Sequence, residues 1–357
     1  MNIVYDNNIF YHQKSGGGSV VFYELLQRAL NDKELNCQFI EYGHTDNPYQ
    51  DKLMIPRSRV TERRPSSLLY NRFFPVNYKC NEKFIFHSTY FSYCSNPFAV
   101  NLTTVHDFTE LRKGRGFMSK MRAKLQMRII RRSSVIVCIS ENTKKDLLYY
   151  LPEIDPSIIH VIYNGVSEVF CENKSQADLP FAPNSYLIFV GCRDGYKNFS
   201  LLQEIISQTN YNLVIVGGAL CESERLSLEE KIPASRYYCT GFVSEEKLNI
   251  LYNNAAALVY PSSYEGFGLP VLEAQRAGCP VIALNASSIP EVIACDASNY
   301  PLLMREATGE EMLGKIELLS NQDIVRTVIK DGLENSKRFS WDKAAHEYKL
   351  LYNSILK

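Results

Sequence analysis

Two carboxylates eight residues apart, Glu265 and Glu273, lie in a stretch whose residue types and spacing point to a binding chemistry: Ser263-Tyr264-Glu265-Gly266-Phe267-Gly268-Leu269-Pro270-Val271-Leu272-Glu273-Ala274. Upstream, residues 255–260 read as a short buried strand stopped by Pro261 and two serines. Downstream, Pro270 suits the first turn of a helix, where its missing N–H costs nothing and its φ is already set. Gly278 is placed to end that helix. Glu265 is therefore expected on a loop above the strand end, and Glu273 in the opening turns of the helix. Between them the backbone N–H groups of Phe267, Gly268 and Leu269 form an anion site at a strand-to-helix crevice.

Two acids would repel a plain phosphate. They suit a ligand with phosphates in its middle and hydroxyl-rich groups at both ends, the shape of a nucleotide-sugar. A hydrogen bond from a sugar hydroxyl to a carboxylate contributes about 1.5–3 kcal/mol. The plainer alternative is that Glu265 caps a turn and Glu273 is held by the helix macrodipole.

Arg193 and Lys197 follow an apolar run ending at Gly191, and two cations there would neutralise a diphosphate leaving group. The chain has no D-x-D pair, so neither a metal nor any other cofactor is expected, and the nucleotide-sugar enters as co-substrate. Gly16-Gly17-Gly18 precedes a helical pattern at 19–31. Val21 stands where the dinucleotide fingerprint needs its third small residue, which speaks against a nicotinamide site. The glycine loop can still bring backbone N–H groups to a phosphate. His106 and Asp107 end the apolar run 102–105, and His87 ends 84–87, each at the C-terminal end of a strand where such sites gather.

Positioning these residues takes two sets of alternating strands and helices. Strand-like runs at 2–5, 84–87, 102–105 and 135–139, with helical patterns at 19–31 and 140–150, give way to a polar, proline-broken stretch at 171–185. The alternation then restarts with 186–191, 200–208, 213–216, 237–240 and 244–253, and a helical pattern closes the chain at 341–356. Such alternation predicts doubly wound parallel sheets covered on both faces. At 357 residues two domains are expected.

The spacing from Glu265 to Glu273 resembles the E-x₇-E signature of the retaining glycosyltransferases of family 4. Gly16–Gly18, Thr104-Val105-His106-Asp107, Val137-Cys138-Ile139-Ser140-Glu141, Val161-Ile162-Tyr163-Asn164-Gly165-Val166, and Phe189-Val190-Gly191 with Lys197-Asn198 resemble that family in the right order. The resemblance implies the GT-B fold: an acceptor-side Rossmann-like domain at 1–170, a linker at 171–185, a nucleotide-sugar domain at 186–340, and a C-terminal helix within 341–357 crossing back to the first, with a cleft between the domains. It implies that Glu273 takes the ribose, Glu265 the donor sugar, and His106 the reaction centre. Gly16, Gly17, Gly18 and Gly266 are expected to help bind the donor, and His87 and Asp107 to line the acceptor side. It further implies transfer of a hexose from a GDP- or UDP-sugar to a glycan or lipid-linked acceptor, in bacterial surface polysaccharide assembly. The chain departs from the pattern here: Cys192 intervenes between Gly191 and Arg193, where the family commonly has arginine directly after glycine, and the spacing on to Lys197 is short. A nucleotide-sugar 2-epimerase of similar fold and a non-catalytic nucleotide-sugar binder are the rival readings.

Ten cysteines are scattered without C-x-x-C or zinc spacing, and no apolar run approaches the ~18 residues of a membrane span. The start lacks a secretory pattern, so a cytoplasmic protein is expected. Net charge is zero overall, yet residues 1–168 hold 22 Lys and Arg against 16 Asp and Glu, while the remainder holds 17 against 23. Nine cations and no acid fall between Arg112 and Arg132, among them Lys120, Arg122, Lys124 and Arg128, with Met118, Met121, Leu125 and Ile129 at helical spacing. This reads as a basic amphipathic helix facing an anionic membrane, or as a core helix with a solvated basic face. Phe117 is the only aromatic residue among these cations, which argues against nucleic acid.

Overall fold

The computed structural model describes residues 1–13, 16–63, 73–113, 116–173, 175–193 and 195–357. The chain forms two compact units, Met1–Gly165 with Ser340–Lys357, and Val166–Phe339.

In the first unit the apolar runs become β1 (Asn2–Asp6), β2 (Asn36–Glu41), β3 (Val60–Glu62), β4 (Phe84–Ser88), β5 (Ala99–Val105), β6 (Val135–Cys138) and β7 (Ile159–Val161). Among the described residues they form one sheet in the order β3-β2-β1-β4-β5-β6-β7. Every pairing is parallel. A central parallel strand is covered on both faces, so it must be apolar throughout rather than alternating. β4 and β6 meet this requirement, with every residue buried. The helix Gly17–Asn31 buries Val21, Phe22, Leu25, Leu26 and Ala29, the three-and-four spacing of one helical face.

The last helix, Trp341–Leu356, is counted with the first unit. Ser340 caps it, its side chain accepting from Lys343 N–H. Arg28 and Lys349 tie it to the Gly17 helix through Asp342 at 2.6 Å and Asp32 at 2.7 Å. Beneath it runs a buried polar network. His87 Nδ1 meets the Tyr352 hydroxyl at 2.7 Å, and His87 Nε2 meets Thr104 Oγ1 at 2.9 Å. Tyr352 also meets the Tyr5 hydroxyl at 3.0 Å, and Thr104 that of Tyr348 at 3.0 Å. Where the helix begins, a Cβ on Gly165 would lie 2.2 Å from the Trp341 backbone nitrogen, so only glycine permits this approach.

The second unit repeats the plan with β8 (Tyr186–Val190), β9 (Asn212–Val216), β10 (Tyr237–Gly241), β11 (Ala257–Tyr260), β12 (Val281–Leu284) and β13 (Leu303–Met304). Their order is β10-β9-β8-β11-β12-β13, again parallel throughout. The 171–185 stretch, expected as a linker, is counted with this unit. Its backbone finds acceptors on the helix Glu245–Asn254: Cys171 N–H donates to Asn249 at 3.1 Å, and Asn173 N–H to Asn253 at 2.6 Å.

Tyr352→Phe keeps the ring and removes the hydroxyl that serves both His87 and Tyr5. An unpaired buried polar group costs about 1–3 kcal/mol, and the first unit should lose stability on that scale in denaturant unfolding. An unchanged unfolding midpoint would show that the network does not hold the helix.

Candidate functional site

An open parallel sheet offers a crevice where its strand order reverses. In the second unit the chain starts in the middle at β8, builds outward through β9 and β10, then returns to β11 on the other side. The loops leaving β8 and β11 therefore diverge over the C-terminal ends of neighbouring strands. Lys197 lies on the first loop, in the 3₁₀ turn Gly195–Lys197, and Glu265 lies on the second. Lys197 Nζ donates to Glu265 Oε1 at 2.5 Å and to the Tyr260 hydroxyl at 3.2 Å. Both charged side chains are largely buried, at 10% and 13% exposure.

The Glu265 backbone is also fixed. Its N–H donates to Ser287 Oγ at 2.8 Å, and Ser288 Oγ donates to the carbonyls of Glu265 at 3.0 Å and Phe267 at 2.8 Å. Ser287 holds φ +51°, a left-handed conformation that a non-glycine residue adopts at a cost of order 1–3 kcal/mol. The Phe267 ring is buried, edge-on to that of Phe339. Gly268 caps the helix Leu269–Arg276 at φ +109°, and a Cβ there would lie 2.8 Å from Ile289 Cδ1. Pro270 stands in the first turn as expected. Glu273 projects from the same helix, and its Oε2 accepts from the buried Tyr252 hydroxyl at 3.2 Å. Burial, followed by the nearby Glu245 carboxylate, raises the Glu273 pKa to about 8, while the tyrosine hydrogen bond acts in the opposite direction.

Arg193, expected with Lys197 as a second phosphate cation, has its guanidinium engaged by other groups of the unit. Its guanidinium is 8% exposed and grips Glu224 at 2.9 and 3.1 Å and the carbonyls of Gly218 and Ala219 at 2.9 and 2.7 Å. A planar fork satisfied this way braces the loops after β8 and β9.

In the first unit the order reverses between β1 and β4, and Gly16 caps the Gly17 helix after the loop leaving β1. His106 follows β5, half-buried, with its ring edge-on to Phe22 of that helix at 5.7 Å. Its Nε2 is buried without a hydrogen-bond partner among the described residues, and burial lowers its pKa to about 4. It is a neutral imidazole at pH 7. His87, expected to line the acceptor side, is instead wholly buried with both ring nitrogens engaged, and burial lowers its pKa to about 3. Asp107 accepts from Thr109 N–H at 2.9 Å, the geometry of a turn opening the helix Thr109–Lys113.

The basic helix forms at Phe117–Ile130, but its apolar stripe faces inward: Leu125 and Ile129 are buried. Arg122 is half-buried and pairs with Glu110 at 3.6 Å, and Arg128 is half-buried. Lys120 and Lys124 are exposed, together with Phe117 and Met118. Arg115 lies outside the described residues. No helix among the described residues is long and apolar enough to cross a membrane.

Sequence reasoning missed Tyr252, Tyr260, Ser287 and Ser288, whose types carry no motif. The available signal was position, since Tyr260 is the last residue of the strand that leads into the Glu265 loop.

The description "Glycosyl transferases group 1" matches residues 160–332, and "Glycosyltransferase Family 4" matches residues 15–169. An uncharacterized glycosyltransferase of Methanocaldococcus jannaschii is 27% identical over 224 residues, 62% of this chain and 60% of that one. O-antigen chain mannosyltransferase B of Escherichia coli is 33% identical over 180 residues, 46% of each chain. The chain thus spans about half the length of these curated relatives. Among solved structures, Anabaena HepE in complex with UDP and glucose superposes with a TM-score of 0.75 at 14% identity, over 99% of this chain and 100% of that one. The fold is GT-B, with two parallel-sheet α/β domains.

The raised pKa of Glu273 has a consequence for stability. Between its ordinary value near 4.5 and about 8 the folded protein keeps a proton that the unfolded chain has released. That contribution is fully present below 4.5 and is lost as pH rises through 8. Glu273→Gln should therefore flatten the fall in thermal stability between pH 6 and pH 9. An unaltered slope would place the ionisation elsewhere.

Proposed function

Because the chain belongs to the family 4, group 1 glycosyltransferases, we propose that it moves a hexose from a GDP- or UDP-sugar to a glycan or lipid-linked acceptor, with retention at the anomeric carbon. The observation that carries this reading is the meeting of Lys197 and Glu265 at the strand-order reversal of the second unit, beside the helix that bears Glu273. Lys197 and the N-terminus of the Leu269 helix meet the diphosphate, Glu265 the sugar hydroxyls and Glu273 the ribose. The bond from the anomeric carbon to the diphosphate oxygen breaks, and a bond to the acceptor oxygen forms on the same face. The acceptor's proton passes to the departing phosphate oxygen, so no protein base is required. His106, a neutral imidazole whose Nε2 has no partner among the described residues, is proposed as a hydrogen-bonding group for substrate. The charge that develops on the phosphate is met by Lys197 and the helix N-terminus, and transfer proceeds without a metal.

The likeness to an O-antigen chain mannosyltransferase supports surface polysaccharide assembly and puts GDP-mannose first among candidate donors. HepE, solved with UDP and glucose, puts UDP-glucose second. A bound donor raises the melting temperature by mass action, so a thermal-shift panel of GDP- and UDP-sugars should give one clear stabiliser. With that donor, turnover should survive EDTA. Glu265→Ala should lower turnover by roughly 10²-fold or more, as expected when a transition-state contact is lost. Activity abolished by EDTA and restored by Mn²⁺ would refute the metal-free route, and near-normal turnover of Glu265→Ala would refute the glutamate's role.

Peripheral docking on an anionic membrane belongs to the same reading. The surface proposed for it is Phe117, Met118, Lys120 and Lys124, which are exposed on the basic helix. Each cation near such a surface contributes on the order of 1 kcal/mol. Changing Lys120 and Lys124 to Glu should reduce co-sedimentation with phosphatidylserine vesicles at low salt. Equal sedimentation of variant and parent would leave the helix with a purely structural role.

A further inference from the structure

The Lys197 ammonium is held on several sides. It lies over the Tyr260 ring at 5.0 Å and the Tyr196 ring at 5.4 Å, donates to the Tyr260 hydroxyl at 3.2 Å, and touches Glu265 Oε1 at 2.5 Å. Tyr260 is buried in β11, so the ring and hydroxyl that hold the cation belong to the rigid part of the unit. The carboxylate reaches the ammonium from a loop, at the end of a flexible side chain. Two nearly buried, opposite charges compensate each other, and removing either partner exposes the other to the full cost of desolvation.

A diphosphate oxygen that approaches Lys197 meets an ammonium already paired with a carboxylate. We propose that Glu265 is a place-holder for the donor's diphosphate: its carboxylate occupies Lys197 in the ligand-free protein and yields it to phosphate when the donor arrives. The proposal rests on the donor-site reading above and adds a specificity role to Glu265. A complete sugar nucleotide gives the displaced carboxylate a new partner, a sugar hydroxyl. A nucleoside diphosphate gives it none, so the spent product leaves Glu265 without a cationic partner in a largely buried place. The exchange thus favours the donor over its product, and release of the product restores the ion pair.

Population arithmetic sets the scale. If the paired arrangement holds Lys197 nine-tenths of the time, the apparent affinity for a diphosphate is weakened roughly tenfold. Isothermal titration with UDP and with GDP tests this on the full chain. Glu265→Gln, of nearly equal shape, should bind whichever diphosphate the parent binds roughly tenfold more tightly. Its preference for the corresponding sugar nucleotide over that diphosphate should shrink by a similar factor. Simple removal of a repelling charge would also tighten binding, and the Lys197→Met background separates the two causes. There, Glu265→Gln should bring no tightening, because no ammonium remains to be released; equal tightening in both backgrounds overturns the proposal. Unchanged or weaker binding by Glu265→Gln overturns it as well. If Glu265→Gln fails to fold, Glu265→Asp, one methylene shorter, should give a smaller tightening, and none would count against the idea. Failure of the parent to bind either UDP or GDP refutes the donor-site reading itself, whereas binding by the parent without the Glu265→Gln effect refutes only the place-holder.

Discussion

A parallel sheet needs a crossover between every pair of its strands, and those crossovers cover both of its faces. The edges of the strands are paired and their faces are roofed, so the C-terminal ends at a reversal of strand order are left as the place where loops can diverge. In the second unit that reversal falls between β8 and β11. Lys197 and Glu265 are 68 residues apart in sequence, and this topology is what brings them together. The same constraint requires β11 to be wholly buried, and its last residue, Tyr260, is thereby both core and site.

Burying charge in such a place requires compensation, and the structure supplies it with neutral hydroxyls. Tyr252 serves Glu273, Tyr260 serves Lys197, and Ser287 with Ser288 serves the Glu265 loop backbone. Each hydroxyl orients a charged or polar group without adding a charge of its own. The first unit uses the same device for architecture. There His87, Tyr5, Tyr348, Tyr352 and Thr104 satisfy one another beneath the last helix, and burial keeps His87 neutral.

The alternation of β8, β9, β10 and β11 with their helices was legible because parallel strands are apolar along their whole length, and Pro270 marked the start of the Leu269 helix. β2 and β3 were not named. Asn36-Cys37-Gln38-Phe39-Ile40-Glu41 mixes polar and apolar residues, since β2 lies toward the edge of the sheet, and β3 spans only three residues. The pair Glu265 and Glu273 was legible from spacing, as was the place of Lys197. The fate of Arg193 was not, because its partners Glu224, Gly218 and Ala219 lie 25 to 31 residues away, and sequence does not show which loops converge. His87 misled for a related reason. A strand's C-terminal end is where sites gather, yet this one is roofed by the last helix, whose tyrosines come from the far end of the chain.

The sequence posed an electrostatic difficulty, since two glutamates beside an anion site should repel a diphosphate. The structure resolves it by giving identical residues different environments. Glu265 has its charge cancelled by Lys197 at 2.5 Å. Glu273, partly buried near Glu245, has its pKa raised to about 8 and is mostly neutral at pH 7. In the proposed donor site, the helix N-terminus between them would therefore face an approaching diphosphate with little net negative charge beside it, and its partial positive charge would not be cancelled by these two acids. On the proposed reading, both side chains would keep oxygen atoms able to accept from sugar and ribose hydroxyls, one once its cation is drawn away and the other through its carbonyl oxygen. A motif of two acids can thus surround a phosphate site because neither need present an uncompensated charge while the phosphate is arriving.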